Sequence, residues 1–270
     1  MKITMKNIAA LACAALAAGS SLLWAQKPKS AKERDAIVAV QQAATPDARI
    51  AAIENVLTKF ADTEFKVPLL QMAIQTEEQK NDFAQTVFYC DRLLKADPNN
   101  AFALVTLASE TARHTREFDL DKDEKLAKID KWAKDGIEAA KNMPKTRTDI
   151  ADEQWEGLKK DLEAQGYVAL GMADVLKKNY DAAADDYRKS IEMGATPNPA
   201  TMVRLAQAYE DGGKYDNATF TLDKAINTPN VPEQVKSIAE SMKNDVARRK
   251  AAAAAKPATP APAPAPAKQP

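Results

Sequence analysis

Three aspartates set one residue apart, Asp119, Asp121 and Asp123, occupy the first three ligand positions of a calcium-binding loop, the clearest hint of metal chemistry in the chain. The remainder of that motif is wrong. Its sixth position requires Gly for a sharp turn and holds Glu124, and its twelfth requires a bidentate Glu and holds the shorter Asp130. An acidic cluster opening a helix is favourable against the helix dipole without any ion, so no metal is expected. His114 is the single histidine, which leaves a zinc site or a His-containing triad without partners. Beside Thr111, Arg113 and Arg116 it reads as a surface or capping side chain. Gly212-Gly213 lacks the spacing of a phosphate loop and reads as a turn, and carboxylate pairs such as Asp185-Asp186 read as a solvated helix face. No cofactor and no catalytic constellation are expected, and the chain reads as a non-enzyme.

The two cysteines are equally plain. Cys13 lies in an apolar run with too little sequence before it for a lipid-attachment site. Cys90, beside Phe88, Tyr89, Leu93 and Leu94, reads as a buried helical hydrophobe rather than a reactive thiol. The fold must then hold by packing alone.

The elements that carry these residues are helical. Apolar residues recur at helical spacing from residue 31 to 249, while no alternating or β-branched run argues for a strand. Thr45-Pro46 and Asn198-Pro199 each offer an N-cap followed by proline at the first helical position. Further breaks at 97–100, 142–144, 194–197, 212–213 and 228–232 divide the chain into about eleven helices, suited to antiparallel pairs. The 45% apolar composition is ample for a core, and 38 basic against 38 acidic residues leave no field to steer nucleic acid or anionic lipid. Nucleic acid is therefore not an expected partner.

Residues 1–25 join Lys2 and Lys6 to an uncharged Ala- and Leu-rich run, the layout of a secretory signal peptide. Leu23-Trp24-Ala25 is an imperfect cleavage site, so a retained anchor stays open beside removal; no later segment could cross a membrane. Export is expected, to the periplasm or beyond the cell. Residues 26–30 form a short polar linker. Residues 250–270 pass from Ala and Lys into Pro-Ala alternation and are expected to be disordered, either an extended spacer or a ligand for a proline-binding partner.

Two stretches superimpose: Tyr180-Asp181-Ala182-Ala183, ending in Lys189-Ser190-Ile191, and Tyr215-Asp216-Asn217-Ala218, ending in Lys224-Ala225-Ile226. Such self-similarity marks an array whose units are too small to bury their own apolar faces. With Tyr167, Leu170-Gly171, Tyr180, Ala183 and Tyr187 in the unit near 164–197, and Leu205-Ala206, Tyr209, Tyr215, Ala218, Leu222 and Ala225 in the unit near 199–232, the pattern resembles the tetratricopeptide repeat, a helical pair of about 34 residues. Asp174 and Ala195 depart from it. Upstream the likeness weakens: Leu70, Ala73 and Ile74 with a second helix over 83–100, then helices over 101–116 and 122–142, then a degenerate pair at 31–60. Trp132 and Trp155 are expected to plug helix contacts, or, if exposed, to mark an interaction surface.

The resemblance implies a right-handed α-solenoid of antiparallel pairs, all-α, whose first helices line a concave, peptide- or protein-binding surface. On the first-helix positions that such arrays turn inward stand Gln71, Gln75, Phe102, Val105, Ser109, Gln165, Val168, Met172, Val203 and Gln207. Their mix of amides and apolar groups suits an extended peptide or amphipathic helix. The expected function is an exported protein- or peptide-binding scaffold of a bacterial-type cell envelope. A self-assembling structural array, and an accessory to envelope-polymer metabolism, are the alternatives.

Overall fold

The computed structural model describes residues 27–145, 150–194 and 198–255, so the signal-like segment, the Pro-Ala run and the end of the turn after Met193 lie outside the described residues. Eleven α-helices and no strand appear among those described: α1 Ala31–Gln42, α2 Pro46–Lys59, α3 Lys66–Lys80, α4 Phe83–Ala96, α5 Ala101–His114, α6 Lys122–Lys141, α7 Asp152–Leu176, α8 Tyr180–Met193, α9 Pro199–Asp211, α10 Tyr215–Ile226 and α11 Glu233–Ala255. Each packs against the next in chain order, so the helices build an α-solenoid rather than one central bundle. Helix α11 runs through Lys250 and the alanines after it, where the sequence suggested that order ends, because alanine continues a helix more readily than any other residue.

Local chemistry sets the boundaries. Thr45 and Asn198 accept hydrogen bonds from the amides of Ala48 and Thr201, with Pro46 and Pro199 in the first turn of their helices. Ser30, Asp82 and Asn100 cap α1, α4 and α5 in the same way. The turns inside three pairs are copies of one another. The amides of Asp82, Asn179 and Lys214 reach back to the carbonyls of Glu77, Asp174 and Tyr209, and the residue before each takes a left-handed conformation: Asn81 at φ 57°, Lys178 at 63° and Gly213 at 74°. This double closure satisfies the orphan carbonyls of the first helix and sends the chain back at once.

These turns share one edge of the solenoid, which ion pairs stitch from pair to pair. Lys80 reaches Asp47 at 2.9 Å, Lys178 reaches Glu117 at 2.6 Å, Lys214 reaches Asp181 at 2.8 Å and Lys250 reaches Asp216. Exposed pairs of this kind contribute about 0–1 kcal/mol each, so packing carries the stability.

The core is a chain of clusters. Ile37, Ile53, Leu69, Ile74 and Leu93 anchor the first; Leu126, Ile129, Ala133, Ala169 and Ala173 join α6 to α7; Val203, Leu222 and Val246 seal the last pair under α11. Half-buried Trp132 packs against both of the first two, and Trp155 is buried, so both tryptophans serve helix contacts. Helix α7 starts at Asp152, about three turns before the repeat pattern begins, because Leu158 and Leu162 extend its apolar stripe onto Ala101, Val105 and Ala140.

Candidate protein-binding face

The first helix of each pair buries one stripe and leaves the opposite one accessible, and the accessible stripe is where a partner could lie. On α3, Leu70, Ala73 and Ile74 enter the core and turn Gln71, Gln75 and Glu78 away from it, all half-buried. Burial pushes the Glu78 carboxyl above its ordinary range while the Arg113 guanidinium of α5 draws it back. On α5 only Phe102, Ser109 and Arg113 escape full burial before the last residue. On α7, Gln165 is exposed, while Val168 and Met172 are half-buried against the cluster of Ala183, Tyr187 and Leu205. On α9, Gln207 is half-buried and its amide donates to the Asp211 carboxylate at 3.0 Å.

Eight of the ten residues read from the sequence thus keep accessible surface, and two need correction. Val105 is 0% exposed. It faces α6, where Gly136 makes room: a Cβ there would stand 2.7 Å from Val105 Cγ1. Val203 is 1% exposed, packed with Ala218, Leu222 and Val235 beneath α10 and α11. Each lies only about 40–60° from the open stripe, enough to turn it into the core, since each residue advances about 100° around the axis. Arg204, half-buried, takes the place assigned to Val203. Arg204, Glu78, Arg113 and Asp211 were missed because they are charged and read as ordinary solvated residues; continuing the i, i+4, i+7 spacing from Ala200 through Arg204 and Gln207 to Asp211 finds two of them. The face therefore carries charges of both signs among its amides.

The other candidates resolve into structure. The Asp119 carboxylate accepts from the Lys125 ammonium at 2.9 Å and the Arg116 amide at 3.0 Å, and these bonds hold it below the usual carboxylate range. Lys125 also holds Asp121 at 2.9 Å. Among the described residues no group of three or more His, Cys, Asp or Glu side chains converges on a point that could hold a metal ion. His114 stacks on Phe83, ring centroids 4.1 Å apart, and its Nδ1–H donates to the Glu110 carbonyl at 2.9 Å; burial, with Arg113 and Arg116 nearby, lowers its basicity. Cys90 is fully buried on α4, and burial drives its thiol pKa far upward, as an inert core residue requires. No described helix is long and apolar enough to cross a membrane.

No curated protein sequence matches the chain. The tetratricopeptide-repeat family model matches residues 164–193 and 199–228, which are the pairs α7–α8, from the middle of α7 onward, and α9–α10. Among solved structures, the crystal structure of a thermophilic tetratricopeptide-repeat protein of Thermus thermophilus aligns with 82% of this chain and 98% of that chain, at a TM-score of 0.51 and 16% sequence identity. At that identity the likeness speaks for the fold alone. The fold and the repeat pattern nevertheless agree residue by residue: Gly171 lets the ring of Tyr187 approach, Ala183 and Ala218 vanish into their helix crossings, and the same left-handed turn closes both pairs. Residues 164–193 and 199–228 are thus two tetratricopeptide repeats, set in a solenoid of the same architecture as that protein.

Proposed function

We propose that the chain is a non-catalytic scaffold of the bacterial-type cell envelope that binds a protein or peptide along the open stripe of its first helices. The observation that supports this most is the row of accessible amides and apolar groups, Gln71 and Gln75 on α3, Phe102 and Ser109 on α5, Gln165, Val168 and Met172 on α7, and Gln207 on α9, on helices whose opposite stripes are consumed by the core. Amides satisfy the backbone groups of an extended segment and the apolar residues bury its side chains. Glu78, Arg113, Arg204 and Asp211 add charge-assisted contacts that select for register. Export rests on the layout of residues 1–25, and the Pro-Ala run from Pro257 would act as a spacer.

The test is a photoreactive amino acid at Gln75 and at Gln165 of the full chain, with Lys236 on α11 as control. Capture of one and the same protein from both positions, and not from 236, is expected. Capture no stronger than at the control would remove this face from consideration, and capture of only the chain's own copies would replace the scaffold reading with that of a self-assembling array.

A further inference from the structure

Four charged groups lie on the open stripe of the first helices, and the chain itself answers three of them. The Arg113 guanidinium acts on Glu78 and pairs with Glu110. Asp211 accepts from the Gln207 amide at 3.0 Å and lies 3.5 Å from the Arg249 guanidinium. Arg204 is the exception. Half-buried on α9, it meets no carboxylate at ion-pair distance and makes no side-chain hydrogen bond among the described residues. Its counterpart, when Leu170-Gly171 is set on Leu205-Ala206, is the fully buried Ala169, so the repeat itself has no need of a guanidinium there.

A second donor stands at the same seam. Tyr187 of α8 is 2% exposed, its ring held against Gly171 of α7 and packed with Leu205 and Ala208 of α9. Its hydroxyl has no hydrogen-bond partner among the described residues, yet it retains contact with solvent. Burial drives the pKa of that hydroxyl far upward, against the pull of the nearby Arg204 charge, so it stays protonated and able to donate. A polar group placed so deep without a partner gives up most of its water for nothing in the free chain.

Two unanswered donors, one of them cationic, are complementary to a charged group with two acceptor oxygens, which a carboxylate supplies. The surroundings favour an apolar neighbour for it. Val168 and Met172 of α7, both half-buried, pack on the same Tyr187 and Leu205 cluster, so an apolar side chain beside the carboxylate gains contact there. The open stripe also continues past the seam, to Gln207 and Asp211 on α9 and to Gln165 on α7, which leaves room for chain on both sides. We propose that Arg204 and the Tyr187 hydroxyl anchor the bound segment through an Asp or Glu side chain within an extended stretch, whose apolar neighbour lies on Val168 and Met172. This rests on the reading of the first-helix stripe as a partner-binding face.

The experiment places p-benzoylphenylalanine at Gln165 of the full chain, in cells that make it, and compares capture by the Arg204→Gln, Tyr187→Phe and otherwise unsubstituted forms. Loss of the charge should cut capture at least about tenfold and loss of the hydroxyl about threefold or more. Melting temperatures should not move, because neither group holds a partner within the chain. The mapped adduct is expected on a segment with Asp or Glu beside an apolar residue. A synthetic peptide of that segment should bind at least about tenfold more weakly when the acid is replaced by its amide, and Arg204→Gln should then cost nothing further. Capture undiminished in both variants overturns the proposal and leaves the face standing. Additive losses from the peptide and Arg204 substitutions overturn it too, as does binding abolished by amidating the peptide's C-terminus alone. No capture by the otherwise unsubstituted form would strike the face itself, and the proposal with it.

Discussion

The pair α7–α8 and the pair α5–α6 solve the same packing problem with the glycine on opposite helices. In α7–α8 it is on the first: Gly171 faces Tyr187, and a Cβ there would lie 2.7 Å from the ring. In α5–α6 it is on the second: Gly136 admits Val105 and Leu104 of the first helix. The next pair, α9–α10, has Ala206 in place of the glycine and the smaller Leu222 in place of the tyrosine, both fully buried in one cluster. Volume at a helix crossing is kept while its distribution is not. The consequence for function is that Val105, turned inward by Gly136, leaves the surface, and α5 presents almost nothing but Phe102, Ser109 and Arg113.

The largest test of this comparison is Tyr187→Ala, which empties the crossing. A loss of about 3–5 kcal/mol in urea unfolding is expected, as for other fully buried aromatic deletions. A sharper one is Gly171→Ala. The added methyl meets a rigid ring, and a net loss of about 1–3 kcal/mol is expected even after the roughly 1 kcal/mol that alanine gains in helix propensity. Combining it with Tyr187→Leu reproduces the Ala206/Leu222 crossing and should recover at least about 1 kcal/mol relative to additivity. Additive losses would mean that the two residues do not share the crossing.

The same comparison marks what the sequence made legible. Tyr187, Ala183, Gly171 and their counterparts in α9–α10 are packing residues with a fixed period, so fold class, pair order and the caps at Thr45 and Asn198 could be read directly. The open stripe could not be read as fully, because a surface position is defined by which way neighbouring helices lean. Gln71, Gln75 and Gln207 sit where spacing puts them, yet Val105 and Val203 went inward for reasons lodged in Gly136 and in α11, far away in sequence. Phe118 and Leu120 were legible as letters, but full exposure is a property of the pinned loop and emerges only in three dimensions.

At the C-terminal end α11 closes the regular pairs, and its seal has a charge at its centre. Glu210 of α9 is 4% exposed; burial pushes its carboxyl above the ordinary range while Arg249 of α11, 3.0 Å away, pulls it back against Asp211 and Asp245. A carboxyl raised in the native state binds its proton more tightly there than in the unfolded chain, so its ionisation works against folding, increasingly as pH rises above the ordinary carboxyl value of 4.5. Arg249→Ala strips the counter-charge from the ionised form. With a half-exposed guanidinium, a loss of about 1–2 kcal/mol at neutral pH is expected, fading as pH falls towards 4.5 and Glu210 takes up its proton. A loss that stays constant across that window would assign Arg249 a packing role instead.

The smallest effects separate the two kinds of turn. Gly213 holds φ 74°, a conformation in which alanine is strained, so Gly213→Ala should cost about 1 kcal/mol, seen as a lower urea midpoint. Lys178 occupies the equivalent position at 63° without being glycine, and Lys178→Gly should relieve strain of similar size, less whatever its surface pair with Glu117 contributes. The 115–121 loop answers to different rules. Phe118→Ser and Leu120→Ser remove no buried area, so each should change stability by less than about 0.5 kcal/mol. If the serine variants proved as costly as Gly213→Ala, the loop would be one more structural turn. A loop that tolerates them freely owes little of its stability to Phe118 and Leu120.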